Sequence, residues 1–195
     1  MYVKRPKSNK ADHGNMATKN RTIIETPKGT VRLRSPEASD GTAVQALIAR
    51  CAPLDQNSLY MNLIQCDHFA ETCVLAECDG EVLGWISAHV PPGRSDTIFV
   101  WQVAVDARAR GMGLGRRMLA ALLDRPACAR VRRLETTITR DNDGSWALFR
   151  SFARRLGGDL THAPHFEREA HFGGAHATEH LVTIALDAAA DRKAA

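Results

Sequence analysis

Residues 97–117 read T-I-F-V-W-Q-V-A-V-D-A-R-A-R-G-M-G-L-G-R-R. Thr97 to Val105 is a nearly continuous run of β-branched, aromatic and aliphatic residues, which predicts a strand buried on both faces. Asp106 ends the run. Glycine then alternates through Arg110-Gly111-Met112-Gly113-Leu114-Gly115, and a helical pattern begins near Leu114. A strand that turns through glycines into a helix is suited to holding phosphate. The backbone can approach the ligand closely, and the first N–H groups of the helix lack internal partners and sit at the positive end of its dipole. A Walker loop is excluded, because no Lys-Ser/Thr follows the glycines. The dinucleotide fingerprint G-x-G-x-x-G is excluded, because Gly111, Gly113 and Gly115 are wrongly spaced.

What remains, Arg110-x-x-Gly113-x-Gly115, resembles the R/Q-x-x-G-x-G/A signature of the GNAT superfamily of acetyl-CoA-dependent N-acetyltransferases. The resemblance implies acetyl-CoA as cosubstrate at this turn. Arg108, Arg110, Arg116, Arg117, Arg125, Arg130, Arg132 and Arg133 crowd the same part of the chain, offset only by Asp124. They are expected to serve a ligand that carries a pyrophosphate and a third phosphate, as coenzyme A does.

The composition is that of a single globular domain: 195 residues, 44% apolar and 25% charged. No apolar run approaches a membrane span, and no hydrophobic stretch follows the basic N-terminus as in a secretory signal. The expectation is a cytoplasmic protein with no membrane partner. Five scattered cysteines without a C-x-x-C pair fit free thiols in a reducing compartment. The net charge of +4 belongs to the leader. Residues 1–21 hold six basic residues and one acidic, a sum of +5, and the remainder holds 20 basic and 21 acidic, a sum of −1. A nucleic-acid role would have to rest on that leader, and none is expected. No metal is expected either. Cys73 and Cys78 fall in a strand pattern and its turn, and His162, His165, His171, His176 and His180 form no H-E-x-x-H motif.

Residues 1–22 are polar and basic, and are expected to be disordered. Thr30–Arg34 alternates as a strand, and Ser39 or Asp40 can cap a helix that Pro53 stops. Asp55, Asn57 and Ser58 can cap a second helix running to about Cys66. The same polar cluster, with Tyr60, suits plain capping and also suits a small polar substrate. Cys73–Cys78 and Glu81–Val90 form a hairpin across Asp79-Gly80. After the central strand and the Leu114–Leu123 helix come a strand at Leu134–Thr139 and a helix from Asp141 or Asn142 to Gly157-Gly158. A loop follows with a strand-like piece at Phe166–Phe172, then a strand at Leu181–Leu186 and a frayed tail over 188–195. The order gives a mixed α/β domain over residues 28–187, the element order of the GNAT fold. That fold implies a mostly antiparallel central sheet, splayed at the cofactor site and flanked by helices.

Leu54-Asp55-x-Asn57-Ser58-x-Tyr60, Val100-Trp101-Gln102-Val103-Ala104-Val105 and Glu135-Thr136-Thr137-Ile138-Thr139 with Asp141-Asn142 resemble one branch of that superfamily, the L-2,4-diaminobutyrate acetyltransferases of ectoine biosynthesis. The resemblance implies acetylation of the side-chain amine of diaminobutyrate, a homodimer, and substrate contacts from Asp55, Asn57, Tyr60, Trp101 and Glu179. It places the cofactor against Val103, Ala104, Val105, Arg110, Gly111, Met112, Gly113, Leu114, Gly115, Arg116 and Asn142. Catalysis is expected from Asp55 or Glu179 as proton acceptor and from the backbone at Val103 as oxyanion donor. One position departs from the superfamily pattern. Many members carry an acidic tyrosine seven residues after the helix-starting Asn, and here that residue is Phe149, which has no proton to give. On the residues alone, a different small amine as substrate, or a non-catalytic coenzyme A sensor, stays open.

Overall fold

The structure, a computed structural model, describes residues 22–26 and 29–187. The expectations for residues 1–21 and 188–195 lie outside the described residues. The elements are β1 (Thr22–Thr26), β2 (Gly29–Arg34), α1 (Gly41–Arg50), α2 (Leu59–Asp67), β3 (Val74–Cys78), β4 (Glu81–His89), β5 (Thr97–Val105), α3 (Leu114–Leu123), β6 (Arg133–Thr139), α4 (Asp143–Arg155), β7 (Leu160–Phe166), α5 (Arg168–Phe172) and β8 (Glu179–Ala185). They build one eight-stranded sheet in the order β1-β2-β3-β4-β5-β6-β8-β7. Every neighbouring pair is antiparallel except β5 and β6, which run parallel. Mixed α/β architecture is thus as expected.

Local chemistry sets the element ends. Asp79 (φ 50°) and Gly80 (φ 81°) both adopt the left-handed conformation, as a two-residue hairpin between antiparallel strands requires. The Ser58 hydroxyl accepts from the Met61 N–H (3.2 Å), and the Asn142 side chain accepts from the Ser145 N–H (3.0 Å), so each caps its helix. Asp40 makes no such cap to α1. Its carboxylate instead binds the Arg34 guanidinium (2.7 Å) and the Glu37 N–H (2.7 Å).

Two hydrophobic cores lie on opposite faces of the sheet. α3 and α4 cover the larger with Met118, Leu119, Leu122, Phe149 and Phe152, and α1 and α2 cover the smaller with Val44, Leu47, Ile48 and Cys66 packed around Trp85. β5 contributes to both because its register with β4 shifts. Gln102 pairs with Ser87 and Val100 with Ala88, which leaves Trp101 as an extra residue. A one-residue bulge exchanges the faces of the strand beyond it. Ile98 and Val100 therefore enter the larger core, Ala104 enters the smaller, and Val103 and Val105 pack against the larger.

β5 parts from β6 early. The two pair only at Thr97–Phe99 against Arg133–Glu135. Beyond Phe99 the expectation of a strand buried on both faces is corrected: Trp101 is 45% exposed, and Val103 and Val105 are partly exposed. Hydrophobicity alone does not reveal a strand that leaves its neighbour. Three other elements also differ from the sequence reading, which assigns no strand where β1 lies. The strand placed at Phe166–Phe172 lies earlier, at Leu160–Phe166, and Arg168–Phe172 is a short helix. β7 is exposed along nearly its whole length, so it carries no apolar alternation to mark it.

The glycine turn is needed where the phosphate-binding reading placed it. Gly111 (φ 79°) and Gly113 (φ 69°) are left-handed, and Gly113 caps α3. A side chain on Gly115 would stand 3.2 Å from Leu148, so that glycine lets α3 and α4 approach closely. Gly113→Ala is expected to destabilise the fold by about 1–2 kcal/mol, the strain of an L-residue in the left-handed region. Urea denaturation would measure the loss.

Candidate active site

The gap between β5 and β6 holds two adjoining cavities. One, of about 770 Å³, runs along the glycine turn. It is lined by Val103 and Val105 of β5, by Arg110, Gly111, Gly113, Leu114, Gly115 and Arg116, and by the start of α4 at Asp141, Asn142 and Ser145. The first backbone donor within α3 is the Arg117 N–H, to the Gly113 carbonyl (3.1 Å). The N–H groups of Leu114, Gly115 and Arg116 precede it, so they have no acceptor inside the helix. Left-handed glycines, unpaired helix-start donors and two exposed arginines suit the phosphates of a nucleotide carrier, and the strand edge abandoned by β6 suits an extended amide-bearing arm. These residues therefore fit acetyl-CoA.

The arginine crowd seen in the sequence disperses in the fold. Arg108 binds Asp106 (3.1 Å) and Glu81 (2.6 Å). Arg125 is buried and donates to the backbone carbonyls of Ala70, Glu71 and Cys73. Arg133 binds Asp96 (2.8 Å). Of the eight, only Arg110 and Arg116 line the groove. Neighbours in sequence point in different directions once a strand, a turn and a helix separate them.

The second cavity, of about 360 Å³, lies deeper in the gap. β5 supplies Val100 to Val103, β6 supplies Thr136 to Thr139, and the loop before α2 supplies Asp55 and Asn57. Asp141, Asn142, Phe149, His176 and Glu179 complete it. The two cavities share Pro53, Leu54, Val103, Asp141, Asn142 and Ser145, so a group held in one faces the other.

The deeper cavity is acidic. Asp55, Asp141 and Glu179 face it, and among its described lining residues there is no lysine or arginine. Burial pushes the Glu179 carboxyl above the usual carboxylate range, and the charges of Asp55 and Asp141 push it the same way. His176 and the Thr137 hydroxyl pull against them. The His176 Nε2 stands 3.9 Å from Glu179 Oε1. Thr137 and Thr139 hold the hydroxyl-bearing side of the gap.

Gln102 was missed as a site residue by sequence reasoning. Its Nε2 donates to the Asp55 carbonyl (2.8 Å), and its Oε1 accepts from the Asn57 Nδ2 (3.2 Å). The loop that presents Asp55 is thereby pinned to β5. Only the polar residue in an apolar strand hinted at this. His176 was seen only as one of five loop histidines, because its approach to Glu179 is set by the turn between α5 and β8.

Four expected site residues sit differently. Tyr60 is 72% exposed on the first turn of α2 and does not line either cavity, because capping by Ser58 rotates it outward. The Ala104 side chain is fully buried in the smaller core, which leaves only its backbone near the gap. Met112 lines a separate hollow with Thr26, Val31 and Cys78. Asn142 lines both cavities, but its side-chain oxygen is engaged as the α4 cap. The cysteines are buried and free, and burial pushes the Cys66 and Cys73 thiols up to about 12, where they stay protonated. Among the described residues no group of His, Cys, Asp and Glu is placed to hold a metal ion.

Gln102→Leu removes two hydrogen bonds at nearly constant volume. Each contributes about 1 kcal/mol, so the KM for the amine substrate is expected to rise about tenfold or more, while the KM for acetyl-CoA changes less than about twofold. Steady-state kinetics with each substrate varied in turn would check the split.

Comparison with known proteins agrees with this geometry. The pattern of the Acetyltransferase (GNAT) family matches residues 42–153. An L-2,4-diaminobutyric acid acetyltransferase of Methylotuvimicrobium alcaliphilum is 47% identical over 154 residues, covering 79% of this chain and 90% of that protein. One from Vibrio parahaemolyticus is 44% identical over 164 residues, covering 84% and 91%. A diaminobutyrate acetyltransferase of Paenibacillus lautus, solved with its substrate L-2,4-diaminobutyric acid and coenzyme A, superposes with a TM-score of 0.76 at 38% identity, covering 80% of this chain and 94% of that one. With the strand gap, the glycine turn and the acidic cavity in place, the chain belongs to the GNAT acetyltransferase family and, within it, to the diaminobutyrate acetyltransferases.

Proposed function

We propose that this chain transfers the acetyl group of acetyl-CoA to the side-chain (γ) amine of L-2,4-diaminobutyrate, giving N4-acetyl-2,4-diaminobutyrate in ectoine biosynthesis. The observation that carries the reading is the juxtaposition in one strand gap of a cavity with three carboxylates and a glycine-turn groove with two arginines. The first suits a substrate bearing ammonium groups, and the second suits the phosphates of coenzyme A.

An alkylammonium has a pKa of about 10.4, so the bound amine must lose a proton before it attacks. Glu179 is the proposed acceptor. It is the most enclosed of the three carboxylates, with a side chain 19% exposed, and its raised pKa gives it a better match to a proton leaving an amine. Asp55, exposed and held through its backbone by Gln102, is the proposed partner of the substrate's ammonium, and Asn57 and the Trp101 face complete the pocket wall. The acetyl carbonyl gathers negative charge as nitrogen adds, and the β5 backbone at Val103, on the edge that β6 leaves, is the proposed oxyanion donor. Phe149 lines the cavity and is 2% exposed. The thiolate therefore leaves without a tyrosine acid, which its ordinary pKa of about 8.5 tolerates.

A homodimer is part of the proposal. The edge strand β7, exposed along its length, is a surface a second copy can cover, and light scattering would test it. A cytoplasmic location is supported by the free cysteines. No helix among the described residues is long and apolar enough to cross a membrane.

Thiol release with diaminobutyrate, ornithine, lysine and a short peptide, with the product mapped by NMR, tests the reading. Preference for diaminobutyrate with the acetyl group on the γ nitrogen is the expected result, and faster turnover of another amine would displace it. The proton acceptor is tested by pH. Glu179 protonates at a higher pH than a free carboxylic acid, so activity should fall with acid over a limb that begins above the ordinary value of about 4.3. Glu179→Gln should abolish that limb and lower kcat/KM by about 10²-fold or more. Asp55→Asn is expected to raise the KM for the amine. Unchanged rates across pH in Asp55→Asn would exclude it as the base.

A further inference from the structure

An amino-acid substrate presents two kinds of handle, its ammonium groups and its carboxylate, and the cavity is built unequally for them. Every full charge that lines it is negative: Asp55 from the loop before α2, Asp141 from the β6–α4 turn and Glu179 from the start of β8. Glu179 Oε2 is buried and has no hydrogen-bond partner among the described atoms, which leaves an acceptor waiting for a donor. The basic groups around the cavity are committed elsewhere. Arg94 binds Glu135 (2.7 Å), and Arg140 donates to His180 (3.2 Å). Arg110 and Arg116 face the glycine groove. His176 has one ring nitrogen 3.9 Å from Glu179 and the other 2.7 Å from the Ala177 carbonyl. A substrate carboxylate would meet hydroxyls, amide groups and the Trp101 indole, but no bidentate arginine of the kind that fixes carboxylates strongly.

We infer that the pocket recognises a pair of ammonium groups three carbons apart rather than an α-amino acid, and that the enzyme accordingly also acetylates simple diamines of that spacing. This rests on the acetyltransferase reading above. The simplest such diamine, 1,3-diaminopropane, has the nitrogen spacing of diaminobutyrate and lacks only the carboxylate. In the step, a C–N bond forms between one amine and the acetyl carbon and the C–S bond breaks. Of the two protons the ammonium gives up, one goes to the carboxylate acceptor and the other ends on the departing thiolate. Removing the carboxylate also removes a negative charge from a cavity that already holds three, so its loss is partly offset by relief of repulsion. Removing the second amine leaves Asp55 without the ammonium it is proposed to hold, and a site built to pair with a charged group rejects an analogue that lacks it.

Two truncated analogues separate the handles. Initial rates of thiol release from acetyl-CoA would be measured with the full chain on diaminobutyrate, on the diamine 1,3-diaminopropane and on the amino acid γ-aminobutyrate, the last retaining the carboxylate and lacking the α-amine. The diamine is expected to show a kcat/KM within about 100-fold of the diaminobutyrate value, as for the loss of neutral hydrogen bonds. With γ-aminobutyrate the same ratio should fall by about 10³-fold or more. If diaminobutyrate turns over and γ-aminobutyrate matches or exceeds the diamine, the inference is overturned and the acetyltransferase reading stands. If diaminobutyrate is not acetylated, the reading fails. In that event turnover of the diamine still upholds recognition of the ammonium pair, and its absence overturns it.

Discussion

β5 and β6 share only three paired positions before they part, and the rest of the site depends on that parting. A strand edge inside a domain must satisfy its N–H and C=O groups somewhere. Here the edge from Val100 onward faces a gap instead of a neighbour, so the fold carries an interior surface of backbone donors and acceptors aimed at whatever fills it. The bulge at Trp101 makes this compatible with two cores. It exchanges the faces of β5 midway, so Ala104 completes the core under α1 and α2 while Val103 and Val105 turn toward the gap and α3. Without the exchange, one helix layer would meet the wrong side chains.

Charge is segregated along the same gap. The glycine turn and the start of α3 carry Arg110 and Arg116, the deep end carries Asp55 and Glu179, and Asp141 lies where the two cavities join. This arrangement suits the proposed entry of a phosphate-bearing cosubstrate and a cationic amine from opposite ends, with Val103 among the residues both cavities share. The arginines that do not serve this purpose build the scaffold. Arg108 closes the turn after β5 onto Asp106 and the β3–β4 hairpin, and the buried Arg125 ties together the backbone carbonyls of Ala70, Glu71 and Cys73. Gln102 connects scaffold and site by tying the Asp55 loop to the central strand.

The readable features were those whose cause lies within a few residues. Asp79-Gly80 encodes its own hairpin, Ser58 and Asn142 their own caps, and Gly111 and Gly113 their own left-handed turn. Where the cause was remote, sequence reading erred. β1 and β7 lie toward or at the sheet edges and draw their hydrogen bonds from partners, with β7 almost wholly exposed, so neither shows a strong apolar pattern of its own. The outward phase of Tyr60 is likewise set by the fold, through the Ser58 cap of α2, and its expected substrate contact is not read from the cavity lining.

By itself the sequence determined the mixed α/β class, the position of the glycine turn and the residue types of the acetyltransferase signature, because periodicity, capping and backbone freedom act locally. Only the tertiary structure decided which charges face one another. It separated eight neighbouring arginines so that two reach the groove, and it brought Asp55, Asp141 and Glu179 from three distant segments into one cavity. Electrostatic work depends on distance in space, and distance along the chain does not set it once strands part and helices fold back across the sheet.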